Sequence, residues 1–173
     1  MEHSLCAGVC ACGKIHTPAA FDSEVGSGAI RRLPEYVAKF DAKKVFLLAD
    51  RNTFAAAGEQ VCKLLEEYAV PYSKYIFQDA HLMPDEKAVG RAVMNFDPAC
   101  DLIIGIGSGV INDIGKILSN VSGRKYIIVG TAPSMDGYAS ATSSMELDGL
   151  KVSINSHCPD VIIGDTDILK NAP

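Results

Sequence analysis

No block of lysine and arginine, no membrane-length apolar run and no Walker A loop occur in this 173-residue sequence. Each absence excludes a class of function. The net charge is −5, and an acidic chain without clustered cations offers no nucleic-acid surface. Its longest apolar runs, such as VFLLA and YIIV, have the length of buried strands, whereas a membrane span needs about twenty apolar residues. Met1 to Gly13 lacks a charged start followed by an apolar run, so we expect no signal peptide and a cytoplasmic chain. The six cysteines are then expected to remain thiols. Cys62 falls in a helical pattern and Cys100 just before an apolar strand, positions that suit core residues. What is present, 48% hydrophobic and 21% charged residues, fits one globular domain with a sizeable core.

After an irregular arm over residues 1–20, strand-like and helix-like segments alternate through residues 21–173. LPEYVAKF places Leu33, Tyr36, Val37 and Phe40 on one helical face, with Pro34 suited to the first turn. KKVFLLAD predicts a buried strand ending at Asp50. NTFAAAGEQVCKLLEEYA predicts a helix capped by Asn52, with Phe54, Gly58, Val61, Leu65 and Tyr68 on its apolar stripe. VPYSKYIF, DLIIGIG and KYIIVGT predict further strands, with helices over PDEKAVGRAVMNF and residues 109–120 between them. SATSSMELDGLKVSIN predicts a hairpin turning at Asp148-Gly149, a type I′ signal, and DVIIGDTDIL a last strand. Continuous apolar strands alternating with amphipathic helices imply an α/β fold: a Rossmann-like parallel sheet flanked by helices on both faces, with an added β-hairpin near the C-terminal end. Ligands of such sheets gather at the carboxyl ends of the strands. Asp50, Gly105–Gly109 and Thr131–Asp136 all follow strand ends.

GIGSGVINDIGK, residues 105–116, fits neither Walker A nor the classical dinucleotide fingerprint. Glycines 105, 107 and 109 permit positive φ and close approach to an anion. The helix that follows offers unpaired N–H groups and a positive dipole end. Ser108 adds a hydroxyl, while Asp113 and Lys116 share a helix face. A tight glycine turn with a surface ion pair would show the same pattern. Asp50 can accept both hydroxyls of an adenosine ribose, and would repel a 2′-phosphate, or it can be a turn or cap aspartate. In GTAPSMDGYAS, Thr131 and Ser134 offer hydroxyls around a proline-stiffened turn, and Asp136-Gly137 can be an ordinary turn.

Together, Asp50 at a strand end, GIGSGVINDIGK, GTAPSMDGYAS and DVIIGDTDILKNAP resemble the cofactor half of the iron-containing alcohol dehydrogenase superfamily, and within it the glycerol-1-phosphate dehydrogenases. CACGKIH and VGSGAIRRLPEYV extend the resemblance over nearly the whole chain. It implies that Asp50 holds the adenosine ribose of NAD(H) or NADP(H). Gly107, Ser108, Gly109, Val110 and Ile111 would hold the pyrophosphate, supported by Asp113 and Lys116. Thr131, Ala132, Pro133 and Ser134 would line the nicotinamide half, Ser140 would also touch cofactor, and Asp136 would contact the polyol substrate. Relatives often read Gly-Gly-Gly where this chain has Gly107-Ser108-Gly109.

The resemblance further implies hydride transfer between NAD(P)H and dihydroxyacetone phosphate, a small phosphorylated triose. It requires a divalent metal (zinc, nickel or iron) held by one Asp and two His of a helical domain following Asn171-Ala172-Pro173. That metal-binding domain is expected to be absent from this chain, which would leave it inactive alone and in need of the missing domain or a second copy as partner. His3, Cys6, Cys10, Cys12 and His16 could form a structural zinc site or a loosely packed arm. His81 and His157 are expected to be surface or packing histidines. A different polyol or alcohol dehydrogenase of the same superfamily, and a stand-alone nucleotide-binding or interaction module, stand as alternatives.

Overall fold

The computed structural model describes Gly13 and residues 21–173. The expected Cys/His cluster of the arm lies outside the described residues. Six strands form one parallel sheet, β1 (Asp22–Gly26), β2 (Val45–Asp50), β3 (Tyr72–Phe77), β4 (Leu102–Gly107), β5 (Lys125–Gly130) and β8 (Val161–Asp165), in the order β1-β8-β5-β4-β2-β3. A separate antiparallel hairpin, β6 (Thr142–Leu147) and β7 (Leu150–Asn155), is inserted between β5 and β8. Its central residues Asp148 and Gly149 both take positive φ, 50° and 76°, as the expected type I′ turn requires. No residues of β1 were placed from the sequence. Its exposed Val25 and polar neighbours give it the look of a turn.

Both faces of the sheet are covered, and residues alternate between them with period two. Val45, Leu47 and Ala49 of β2 enter one core with Leu102, Ile104 and Ile106 of β4, against α1 (Leu33–Lys39) and α3 (Glu59–Glu67). Phe46, Leu48 and Ile103 enter the other, against α4 (Glu86–Asn95) and α5 (Gly109–Ser122). Cys62 and Cys100 are buried as expected, and His81 and His157 are exposed.

The helix after β2 differs from its sequence expectation in three ways. Its cap is Asp50, whose Oδ1 accepts the N–H groups of Asn52 and Thr53 at 2.8 and 2.9 Å, so Asn52 sits inside the first turn. A π-helical stretch, Phe54–Gly58, separates α2 (Arg51–Thr53) from α3. Gly58, Val61 and Leu65 keep to the expected stripe, but Tyr68 caps the C-terminus of α3, where the helix ends, and is 63% exposed rather than packed.

Candidate functional site

The connections leaving β2 and β4 diverge, one to β3 at the sheet edge and the other to β5 on the opposite side. Such a reversal opens a crevice at the carboxyl ends of the two strands. Ala49 pairs with Ile106, which sets Asp50 abreast of Gly107. On the other flank Gly107 pairs with Gly130, and the Thr131 N–H donates to the Gly107 carbonyl at 3.0 Å. A cavity of about 750 Å³ lies over this edge and is lined by Asp50, Ser108, Thr131 and Ala132. Four residues expected from separate segments are thus brought to one site.

The glycines of the loop work differently from the expectation. None of Gly105, Gly107 and Gly109 has positive φ. At Gly105 and Gly107 the requirement is space, whereas at Gly109 a Cβ would make only ordinary contact. A Cβ on Gly107 would stand 2.5 Å from Cβ of Ile111, one on Gly109 would touch Met135 at 3.4 Å, and one on Gly105 would collide with Tyr126. The missing side chains let the backbone fold tightly over the start of α5. This 14-residue helix presents its unpaired N–H groups and positive dipole end at Ser108 and Gly109.

Other expected residues fall elsewhere. The Ile111 side chain is core, so only its backbone N–H, in the first turn of α5, remains for a ligand. Gly109 and Val110 border a second, smaller cavity of about 290 Å³ shared with Asp113 and the hairpin. Pro133, Ser134 and Asp136 are exposed on the segment after β5, and Ser140 is half-buried and bonded to Thr142. These four do not line the larger cavity.

Asp113 and Lys116 do form an ion pair, Nζ to Oδ1 3.1 Å, but not on the surface: the Lys116 side chain has no exposed area. Its stem crosses the core and its ammonium reaches the carbonyls of Thr142 and Gly137. Burial raises the Asp113 carboxyl above its ordinary range, against the opposing pull of Lys116.

No pattern in the sequence points to the cavity's far wall. Gly28, Arg31, Asp165 and Asp167 line it together with residues 171–173. Asp165 is 2% exposed. Its carboxylate accepts N–H groups from Gly28 and Ile30 at 3.2 Å and from Asp167 at 2.9 Å. It caps α6 (Thr166–Leu169) and holds the turn after β1 in place at once. The positive φ of Gly28, 74°, belongs to that turn and favours glycine. Arg31 is the only lysine or arginine among the described lining residues.

Among the described residues no group of three or more His, Cys, Asp or Glu side chains could hold a metal ion. No helix of the described residues is long and apolar enough to cross a membrane.

Residues 24–173 match the family model described as iron-containing alcohol dehydrogenase. The chain is 32% identical over 168 residues to a glycerol-1-phosphate dehydrogenase [NAD(P)+] of Halalkalibacterium halodurans, covering 95% of this chain and 42% of that protein. It is 30% identical over 153 residues to a glycerol-1-phosphate dehydrogenase [NAD(P)+] of Methanospirillum hungatei, covering 88% of this chain and 41% of that protein. The chain thus spans less than half the length of these curated relatives. The fold superposes on glycerol dehydrogenase from Schizosaccharomyces pombe with a TM-score of 0.78 at 22% identity, covering 92% of this chain and 41% of that one. On a 1,3-propanediol oxidoreductase the TM-score is 0.80 at 18% identity, over 92% and 48% of the two chains. With the match running from β1 to the last residue, the chain belongs to the iron-containing alcohol dehydrogenase family.

Proposed function

We propose that residues 21–173 form the NAD(P)-binding domain of a metal-dependent glycerol-1-phosphate dehydrogenase, which moves a hydride between NAD(P)H and dihydroxyacetone phosphate. The observation that supports this best is the convergence of Asp50, Ser108 and Thr131 on one cavity at the divergence of β2 and β4. In this reading the start of α5 receives the pyrophosphate on backbone N–H groups. Oδ1 of Asp50 is taken by the cap of α2, which leaves Oδ2 to accept the adenosine ribose hydroxyls. A carboxylate there disfavours a 2′-phosphate, so NAD(H) is the preferred form. Gly107 keeps the cradle open, since any side chain would push against Ile111. The 131–140 segment serves the nicotinamide half and Asp136 the polyol.

The metal supplies Lewis-acid polarisation of the substrate oxygen when bound. In this reading its ligands come from a helical domain outside residues 21–173. On the same reading residues 21–173 bind dinucleotide, and that domain supplies the metal for turnover. Calorimetric titration with NADH is expected to give saturable binding; absence of binding at millimolar NADH would overturn the dinucleotide reading. Turnover of dihydroxyacetone phosphate by this chain with added zinc, nickel or iron would overturn its incompleteness. A longer form carrying the helical domain is expected to prefer dihydroxyacetone phosphate to unphosphorylated substrates, and the opposite preference would reassign the substrate.

A further inference from the structure

Three buried or half-buried side chains tie the 131–142 segment to the anion loop and its helix. Asn112, fully buried in the first turn of α5, donates Nδ2 to the Gly137 carbonyl at 3.2 Å. Lys116, one turn further along, donates to the carbonyls of Gly137 and Thr142 and pairs with Asp113. Tyr138 turns back toward the loop, where its hydroxyl lies 2.9 Å from the Ala132 carbonyl and 3.3 Å from that of Gly107. Burial raises the Tyr138 hydroxyl above its ordinary pKa, which keeps the proton on the oxygen for these bonds.

An ammonium with no exposed side-chain area is costly to bury unless its donors are satisfied. Here its partners are two main-chain carbonyls and one carboxylate, all beside the site. The Gly137 carbonyl opens the short 3-10 turn Gly137–Ala139 and that of Thr142 begins β6, so the two flank the stretch containing Ser140. An aliphatic side chain could fill the same core volume but could not fix where that stretch lies. Other bonds hold the ends of the segment and Ala139: the Thr131 N–H donates to the Gly107 carbonyl, the Cys158 thiol to the Ala139 carbonyl and the Ser156 N–H to the Ala141 carbonyl. Pro133, Ser134, Asp136 and Ala139 are exposed.

We propose that Lys116 is a positioning residue, assisted by Asn112 and Tyr138, that sets the 131–142 segment against the anion loop so that the nicotinamide half of the dinucleotide is held. The assignment rests on the dinucleotide reading above and deepens it. The adenosine and pyrophosphate contacts at Asp50 and the start of α5 do not pass through Lys116. The half of the ligand served by the 131–142 segment does.

Two ligands separate these halves. ADP-ribose contains the adenosine, pyrophosphate and second ribose but no nicotinamide; NADH contains all of them. The 173-residue chain is expected to bind both, NADH more tightly, and to enhance and blue-shift its nicotinamide fluorescence. In Lys116→Met, ADP-ribose affinity is expected to stay within about twofold, while NADH affinity falls to the ADP-ribose level and the fluorescence change disappears. Tyr138→Phe removes only a hydroxyl and is expected to act in the same direction with a smaller loss, which supplies the test if Lys116→Met does not fold. An equal fall for both ligands, or no fall for NADH, would overturn the positioning role. A wild-type chain that binds ADP-ribose no less tightly than NADH would overturn it as well. A wild-type chain that binds neither overturns the dinucleotide reading itself, and this assignment with it.

Discussion

At the cavity edge, Asp50 combines a helix cap on one oxygen with a place in the lining, and a single substitution separates the two roles. Asparagine caps a helix about as well as aspartate but carries no charge for a ribose diol. Asp50→Asn is expected to leave thermal stability within about 0.5 kcal/mol and to weaken NADH binding about tenfold, as measured by melting and calorimetry. Behind the loop, Tyr126 is fully buried and its hydroxyl has no partner among the described residues. It occupies the volume that a side chain on Gly115 would need, with its ring carbon Cζ only 2.6 Å from the position of an added Cβ. Gly115→Ala is therefore expected to cost about 1–3 kcal/mol by overpacking. Tyr126→Phe alone should be close to neutral, because it removes an unsatisfied group. In the double variant the two changes are expected to couple by at least about 0.5 kcal/mol in denaturant unfolding. The need for small residues at positions 105, 107 and 115 was legible in GIGSGVINDIGK, but its cause was not. The pattern suggests positive φ, whereas the cause is the bulk of Ile111 within the same stretch and of Tyr126 on β5, neither of which a glycine rule names.

Among elements, the strands with continuous apolar runs and the amphipathic helices were legible because each buries its pattern directly in one of two cores. β1 was not, since it is an edge strand whose alternation of half-buried and exposed residues resembles a turn. The π-helical stretch also escaped notice, because no composition rule marks one extra residue in a helix. The burial of Lys116 was missed for a related reason: i, i+3 spacing with Asp113 describes a surface pair and a core strut equally well. One inter-element contact offers a pH test. Asp97, after α4, accepts bonds from Lys44 Nζ at 2.6 Å, Ser73 Oγ at 2.7 Å and the Ala99 N–H at 3.0 Å. The Lys44 bond first, then Ser73, holds its carboxyl down to about 2. An unfolded aspartate titrates near about 4, so the native state favours the ionised form. That contribution is complete above the unfolded value and is lost as pH falls through about 2. Asp97→Asn is expected to be less stable than the parent at pH 6, with the difference shrinking between about pH 4 and pH 2. A difference independent of pH would assign the stabilisation to geometry alone.

Over the whole molecule, the strand order places the crevice between β2 and β4, and the turn held by Asp165 closes its far side. The carboxyl-edge location was legible from the alternation of strands and helices, as was the joining of Asp50 with the glycine loop. The wall built from residues 28–31 and 165–173 was not, because nothing local in GSGAIR or DTDIL signals that they meet. Asp165→Ala would leave three N–H groups without their acceptor and is expected to cost about 3 kcal/mol. Hydrogen exchange should show the loss concentrated at Asp22–Arg32 and β8, and a loss spread evenly over the sheet would contradict it. The pairing that makes this wall also fixes an order of events. Among the described strands β1 pairs with β8 alone, and Asp22 pairs with Val161. Among the same strands, β1 is made first and therefore waits for its β8 edge until the described residues up to Asp165 have been made. Of the described strands, the one made first is the last to be seated, and the far wall of the cavity is completed only with it.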